Sequence, residues 1–283
     1  MPEIHMEGHA FSSRQVGDYQ VTALFDGTMA VGFELLAGID ATAAEEIQKS
    51  HGVSAPATID ISGYLIRGRG RVMLVDAGTD GRNNAGGGLP DALRALGVAP
   101  EDIDTLLLTH GHPDHLGGLL REDGAPAYPH AALCLHPAEA AFWQDEARLM
   151  AANERTQRNI LLARRTLDGY APRLRFTDDA DIAPGIRAVP LPGHTPGHTG
   201  FRIDSGGQRL LIWGDIVHYP FIQTAHPSVT VAFDHDPAQA EATRRTLLAQ
   251  AAREHLLIAG MHTGRQGFAY VRKADDGYRL IPA

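Results

Sequence analysis

The run of residues 110–115, His-Gly-His-Pro-Asp-His, places four candidate metal ligands within six positions. It follows the apolar stretch 103–108, which has the length of a strand. Side chains two residues apart in an extended segment point to the same side, so the first two histidines can bind one ion together. The aspartate and the last histidine follow on a turn and diverge, so they can reach a second ion. The run therefore predicts a strand end that presents ligands for zinc or a similar divalent ion.

Three further candidate ligands occupy the same kind of position, a glycine-containing turn after an apolar stretch. They are His194 after residues 186–191, Asp215 after residues 209–213, and His262 after residues 256–259. An aspartate after glycine is, taken alone, more often an ordinary turn residue. Because all three occur together with the run 110–115, at strand ends where rigid scaffolds present functional groups, we interpret them as parts of one site.

Apolar periodicity predicts strands in both halves of the chain, with helices between them. The predicted strands cover residues 19–25, 58–66, 71–75, 103–108, 133–135, 186–191, 201–203, 209–213 and 256–259. The predicted helices cover residues 41–50, 90–96, one or two segments within 137–167, and 237–254, the last with Asp236 as N-cap. No internal repeat or linker interrupts this order. The pattern favours an α/β fold in which two sheets pack together with helices outside.

Composition narrows the class of protein. Of the 283 residues, 43% are hydrophobic, and the net charge is −9 with scattered Lys and Arg, which argues against nucleic acid or an anionic membrane as partner. Cys134 is the only cysteine, which excludes an intrachain disulfide, and its apolar neighbours indicate a buried strand residue. Residues 1–7 lack the features of a signal peptide, and no window has the ~20 apolar residues of a membrane span. The expected location is cytoplasmic.

The order and context of the seven candidate ligands resemble the metallo-β-lactamase superfamily, from about Tyr19 to the end of the chain. The resemblance implies an αββα four-layer sandwich, with two mixed sheets face to face and helices outside, in a single domain of residues 1–283. It also implies a ligand set: His110, His112 and His194 for one metal, Asp114, His115 and His262 for the other, and Asp215 as the bridge. Two divalent ions per chain are expected, zinc first, with Mn, Fe or Co as alternatives.

Four segments carry a closer likeness to the methyl parathion hydrolase-like branch, which also resembles bacterial N-acyl homoserine lactone lactonases. They are residues 142–147, 214–218, 226–229 and 233–237. Two segments depart from that branch. Residues 263–267 lack its apolar Pro-Gly stretch, and the glycine- and asparagine-rich loop 81–88 lacks the bulky aromatic expected of a phosphotriester pocket. Both departures bear on organophosphate activity more than on the metal site.

The resemblance therefore implies a dinuclear metal-dependent hydrolase of lactones or related carboxylic esters, with aryl esters and organophosphates as promiscuous substrates. Two ions that share a water lower its pKa from ~15.7 toward ~7, which supplies a bridging hydroxide at neutral pH. Asp114 is expected to orient this hydroxide and then carry a proton to the leaving group. His218 is a candidate donor to the substrate oxygen, and a supporting or packing role is equally open. His198 is interpreted as a residue that supports the ligands rather than a ligand.

Phe33, Phe142, Trp143 and Phe221 are candidates for an apolar substrate pocket. Residues 137–170 are predicted to form a helical insertion near it. Residues 1–57 form an N-terminal extension and strand, for which a gate and a homodimer contact are both open. The expected partner is a small-molecule substrate. The main alternative is a dedicated phosphotriesterase. A β-lactamase, which a bridging Asp215 disfavours, and a non-catalytic metal-binding protein rank lower.

Overall fold

The computed structural model describes residues 4–6, 9–178 and 181–283, with side chains from residue 11 onward. Of the stretch 1–7 considered above for a signal segment, residues 1–3 and 7 lie outside this description. Among the described residues, no helix combines the length and the apolar character that crossing a membrane requires.

The strands and helices alternate along the chain. The strands are β1 (Ile4–Met6), β2 (His9–Phe11), β3 (Ser13–Val16), β4 (Tyr19–Ala30), β5 (Leu36–Ala37), β6 (Thr58–Gly68), β7 (Arg71–Val75), β8 (Thr105–Leu107), β9 (Ala132–Leu135), β10 (Leu174–Phe176), β11 (Asp181–Ala183), β12 (Ile186–Pro190), β13 (Thr199–Ser205), β14 (Gln208–Ile212), β15 (Thr230–Val231), β16 (Leu257–Ala259), β17 (Phe268–Ala274) and β18 (Gly277–Pro282). The helices are α1 (Ala41–Ser50), α2 (Leu89–Ala95), α3 (Pro113–Leu116), α4 (Pro137–Gln144), α5 (Glu146–Ala151), α6 (Glu154–Tyr170), α7 (Pro220–Gln223) and α8 (Pro237–Glu254).

Two seven-stranded mixed sheets form the centre of the fold. The first has the order β10-β9-β8-β7-β6-β4-β3 and the second has the order β11-β12-β13-β14-β16-β17-β18. Apolar side chains from both sheets, among them Tyr64, Val75, Phe201 and Ile212, pack into one buried layer between them. This is the predicted α/β sandwich, and burial of the facing apolar sides is what holds the two sheets together.

Helices cover the two outer faces. Side chains of α2, α3, α4 and α6 join the outer side of the first sheet in one buried cluster, and α8 does the same on the second sheet. Helix α8 begins as predicted: the side chain of Asp236 accepts a hydrogen bond from Gln239 N (3.0 Å), with Pro237 in the first turn. Cys134 is buried on β9, as its apolar neighbours indicated.

The segment 137–167 differs from the prediction of one or two helices, because it contains three. Two polar residues start new helices within it. Asp145 accepts from Ala147 N (2.9 Å) at the start of α5, and Asn153 accepts from Thr156 N (2.9 Å) at the start of α6. Each side chain satisfies a free N–H of a first turn, which favours an interruption of the helix there.

The strand ends of both sheets meet at one edge of the sandwich. In the first sheet β7 and β8 are parallel, and in the second β14 and β16 are parallel, so each pair ends on the same side. A hydrogen bond from Thr199 N to Thr109 O (2.9 Å) joins the start of β13 to the segment after β8. The loops that carry the candidate ligands therefore converge on this edge.

Buried Arg244 of α8 holds the segment that follows Asp215. Its guanidinium donates to the carbonyls of Ile216 (2.7 Å), Pro227 and Val229 (both 2.8 Å), and it lies 3.9 Å from the Asp234 carboxylate. A charged donor in this position can satisfy three buried carbonyls at once.

We expect Arg244→Met to lower the free energy of unfolding by roughly 3–5 kcal/mol, because the buried carbonyls of Ile216 and Pro227 lose their donor, Val229 O keeps only Gln223 Nε2, and a buried carboxylate loses its cation. Urea denaturation of the metal-free protein measures this loss. The matched control is Arg245→Met on the same helix, where the side chain is 53% exposed and pairs with Glu241. A change no larger than that of the control would contradict this role of Arg244.

Candidate metal centre

Three imidazoles converge at the edge where the strand ends meet. His112 Nδ1 lies 2.9 Å from His110 Nε2 and 2.9 Å from His194 Nε2. His110 and His112 lie in the extended segment between β8 and α3, and His194 lies in the turn between β12 and β13. Three nitrogen atoms this close together, directed at one another, can bind a single cation.

A second group lies beside the first. It contains Asp114, His115, Asp215 and His262, whose ligand atoms lie within 4.8 Å of one another. His115 Nε2 is 3.4 Å from Asp114 Oδ2, and His262 Nε2 is 3.7 Å from that same oxygen. Asp114 and His115 occupy the single turn of α3, where the sequence predicted a turn.

The oxygen Oδ2 of Asp215 lies between the two groups. It is within 3.7 Å of the Nε2 atoms of five histidines, drawn from both groups and from the segment after β14: His110 (3.7 Å), His115 (3.2 Å), His194 (3.5 Å), His218 (3.1 Å) and His262 (3.2 Å). A carboxylate oxygen in this position can contact cations held by either group.

Hydrogen bonds on the far side of the rings fix the orientation of the histidines. His115 Nδ1 lies 2.6 Å from Asp76 Oδ2, and His194 Nδ1 lies 2.7 Å from Asp234 Oδ1. His262 Nδ1 lies 2.6 Å from the carbonyl of residue 60. When the remote nitrogen donates in these contacts and Nε2 is deprotonated, Nε2 directs a lone pair toward the site, which is the arrangement that metal-binding histidines use.

Glu139, in the first turn of α4, connects the two loops that carry the three converging imidazoles. Its buried carboxylate accepts from Gly111 N (2.8 Å) in one loop, and from Thr195 Oγ1 (2.6 Å) and Gly197 N (3.2 Å) in the other. It also accepts from Trp143 Nε1 (2.6 Å). Burial raises the pKa of Glu139, and these donors oppose that effect.

The charge balance of the site favours a cation. Burial and the neighbouring imidazoles hold the pKa values of His110 and His112 well below the ordinary value, so their rings are neutral at pH 7. Burial alone would lower the pKa of His115, but the carboxylates of Asp215, Asp114 and Asp76 outweigh it and raise that pKa well above the usual range. His110 and His112 thus offer neutral nitrogen ligands, and the carboxylates around His115 supply a negative field.

Unpartnered atoms also fit a metal. Among the described residues, neither Asp215 Oδ1 nor His115 Nε2 has a hydrogen-bond partner, although both atoms are fully buried. Such atoms are costly in the interior unless a ligand satisfies them. Imidazole and carboxylate donors in two adjacent sets are suited to divalent ions of the zinc type.

A cavity of about 650 Å³ opens on these residues. Its lining includes His112, Asp114, His194, Asp215 and His218. Of the aromatic residues predicted for a substrate pocket, Phe142 and Trp143 line the cavity. Phe33 and Phe221 do not. Phe33 packs against Tyr219 (5.6 Å between ring centroids), and Phe221 stacks on His51 (4.4 Å).

Two further histidines near the site, His198 and His218, differ in their contacts. His198 Nε2 accepts from Asp215 N (2.9 Å), and its Nδ1 lies 2.8 Å from the carbonyl of Leu191, so both nitrogens are used in holding the loops. His218 is buried and lines the cavity, and its Nδ1 has no hydrogen-bond partner among the described residues. Burial lowers the pKa of His218 to about 4, so the ring is neutral at pH 7.

Three residues that support the ligands were not predicted from the sequence: Asp76, Glu139 and Asp234. Asp76 ends an apolar strand before Ala-Gly, the same context that marked Asp215, and could have been recognised there. Glu139 lies among alanines in a helix and carries no comparable signal. Asp234 lies in the segment 233–237, which the sequence singled out only by its likeness to one branch of the family.

The two-sheet sandwich thus carries, at one edge, paired His/Asp groups that can hold metal ions. A family model described as the metallo-beta-lactamase superfamily matches residues 59–262. The chain belongs to this superfamily, as the sequence motifs implied.

Solved structures are similar over almost the whole chain. The hydrolase AbOPH of the beta-lactamase superfamily is 30% identical, with 98% of this chain and 99% of that chain covered and a TM-score of 0.89. AidC, described as a dizinc quorum-quenching lactonase in complex with the product N-hexanoyl-L-homoserine, is 25% identical, with 96% and 97% covered and a TM-score of 0.89.

Among curated proteins, the N-acyl homoserine lactonase AiiB of Agrobacterium fabrum is 24% identical over 247 residues, which are 78% of this chain and 85% of that protein. The chain spans less than two thirds of the length of the first curated relatives it matches: 63% of one from Bacillus subtilis and 41% of two from Mycobacterium species.

We expect Glu139→Gln to weaken metal binding by roughly 10- to 100-fold, because an amide cannot accept all four hydrogen bonds and the two ligand loops lose their common anchor. Competition with a chromogenic chelator measures the affinity. Glu146→Gln is the matched control, since that side chain is 70% exposed and pairs with Arg164. Equal affinities for the Glu139 variant and the control would show that the anchor does not act on the metal site.

Proposed function

We propose that this protein is a dinuclear metal-dependent hydrolase of lactones or related carboxylic esters. The observation that carries the proposal is the position of Asp215 Oδ2 within 3.7 Å of imidazoles from both ligand groups. A bridging carboxylate is how two adjacent cations share a site. Zinc is the first candidate for both ions, with Mn, Fe and Co accepted by the same donors.

The proposed ligand set follows the two groups of the site. His110, His112 and His194 hold one ion, Asp114, His115 and His262 hold the other, and Asp215 bridges them. Bound in this way, the ions would supply a hydroxide at neutral pH and polarise the acyl oxygen of the substrate.

Asp114 has the position of a proton carrier. Its carboxylate is 12% exposed and lines the cavity, whereas the carboxylate of Asp215 is 3% exposed. It can therefore accept a proton from the nucleophile and deliver it to the leaving oxygen. In a lactone that oxygen stays tethered to the acyl group, so proton delivery prevents ring closure.

His218 is proposed to donate a hydrogen bond to the substrate oxygen. Its ring is neutral, lines the cavity and lies beside Asp215, so it can donate to a developing negative charge. His218 also forms a possible ligand group with His194 and Asp215, and the ion count of a His218 variant separates the two roles.

Two further observations support an acyl substrate. The cavity volume of about 650 Å³ is within the range of small-molecule sites, roughly 300–1,000 Å³. The similar structure AidC is described with an acyl homoserine product. The experiment that tests the proposal is a parallel measurement of kcat/KM for the metal-loaded protein on acyl homoserine lactones, aryl esters, phosphotriesters and β-lactams. We expect lactones to rank first; a preference for phosphotriesters or β-lactams would replace the proposal.

Asp215→Asn is expected to reduce hydrolysis by roughly a thousandfold, because a neutral amide cannot bridge two cations and the loss of several kcal/mol of charge stabilisation acts directly on the rate. Steady-state kinetics at saturating metal measure the effect. Asp204→Asn is the matched control: that carboxylate lies on β13, is 41% exposed and pairs with Arg202. Full activity of Asp215→Asn would exclude the two-metal assignment.

His218→Asn is expected to lower kcat by about a hundredfold or more while two ions per chain remain bound, since the group acts on substrate and not on metal. Native mass spectrometry counts the ions, and initial rates give kcat. If the variant binds one ion, His218 is a ligand and its proposed role is wrong.

A further inference from the structure

We propose that the cavity contains an anion subsite formed by Arg148, which binds a carboxylate carried on the acyl part of the substrate, away from the bond that is cleaved. The proposal rests on the proposed hydrolase function and specifies its substrate class as ω-carboxylated acyl lactones or esters.

The first observation is that Arg148 lines the cavity as a cation without a partner. Its guanidinium carbon lies 3.7 Å from the centroid of the Phe142 ring. Its Nε is buried, and among the described residues its guanidinium has no hydrogen bond or ion pair. The negative charges of Glu139 and Asp145 oppose the lowering of the Arg148 pKa by burial, but the oxygens of both carboxylates accept hydrogen bonds from other donors. An arginine that stacks on a ring with its donors free is suited to bind a carboxylate.

The second observation is the charge of the lining. Arg82 and Arg155 also line the cavity, together with the polar side chains of Thr156 and Asn159. Apart from the carboxylates of the metal centre and its support Asp234, Glu34 is the only acidic residue in this described lining. Away from the metal centre and Asp234, the lining therefore holds three arginines against one carboxylate, in a chain whose net charge is −9, and this part of the cavity is suited to an anionic ligand.

The third observation is the distance from the metal centre. The guanidinium carbon of Arg148 is 5.7 Å from the Trp143 ring centroid, and that ring is 5.5 Å from the ring of His112. One aromatic side chain thus separates the cation from the ligands. The bound carboxylate must be several bonds away from the scissile carbonyl, and apolar lining residues such as Val31, Leu35 and Phe233 suit the hydrocarbon between them.

The test uses two 4-nitrophenyl esters with acyl chains of equal length, octanoate and its ω-carboxylated analogue, the monoester of octanedioic acid. The measured quantity is the ratio of kcat/KM for the carboxylated ester to kcat/KM for the neutral one. Arg148→Met removes the charge and keeps an unbranched stem against Phe142, and Arg148→Lys restores a charge. Arg158→Met is the matched control, because Arg158 is exposed on α6 and outside the cavity lining.

The wild-type protein is expected to prefer the carboxylated ester. Arg148→Met should lower the ratio by roughly 10- to 100-fold, mainly through KM, as loss of a charge-assisted contact predicts. Arg148→Lys should recover part of it, and Arg158→Met should keep the wild-type ratio. An equal loss on both esters, or no wild-type preference for the carboxylate, overturns the subsite.

A separate binding measurement distinguishes failure of the subsite from failure of the proposed function. If the metal-loaded protein hydrolyses neither ester, the proposed function is still tested by the lactone comparison above, and calorimetry with octanamide and with the monoamide of octanedioic acid decides the subsite independently of it. Tighter binding of the carboxylated amide that is lost in Arg148→Met supports it, and equal binding of the two amides overturns it.

Discussion

The carboxylate of Asp215 is the contact on which the rest of the site depends. One oxygen faces five imidazoles, and the other is buried without a partner among the described residues. Burial would raise the pKa of Asp215, but the surrounding histidines hold it well below its usual value, so the carboxylate stays charged. Its backbone is fixed as well. Gly214 adopts a left-handed conformation (φ 60°), and a Cβ there would lie 2.4 Å from His198 Nε2, the atom that accepts from Asp215 N.

The sandwich supplies the rigidity that such a site needs. Parallel strand pairs end at the same edge in both sheets, and buried carboxylates then orient the ligands that follow. Asp76 illustrates the cost: it adopts φ 53°, a conformation that costs about 1–3 kcal/mol for a residue other than glycine. In return it accepts from Thr109 N (2.8 Å) and Thr109 Oγ1 (2.7 Å) and orients His115. Backbone strain is thus placed where it aligns a ligand.

Local signals in the sequence predicted much of this arrangement. The run 110–115 and the glycine turns marked seven of the residues that the structure brings together, because strand periodicity and turn chemistry are local properties. The bounds of α1 and α8 agree with the prediction for the same reason.

The β17–β18 hairpin was missed, since its exposed outer residues weaken the apolar pattern. Glu139 and Arg244 could not be predicted, because their partners are contacts across the fold that no local pattern encodes. Phe33 and Phe221 were placed in the pocket by residue type alone, and packing against other aromatics draws them elsewhere.

The central claim is that one carboxylate joins two metal ions at this edge. Anomalous diffraction from crystals of the zinc-loaded protein tests it most directly. Two peaks are expected, roughly 3.5–4 Å apart as in other two-metal sites. One should lie against His110, His112 and His194, and the other against Asp114, His115 and His262, with Asp215 in contact with both. A single fully occupied peak, or an Asp215 carboxylate that contacts only one ion, would contradict the account.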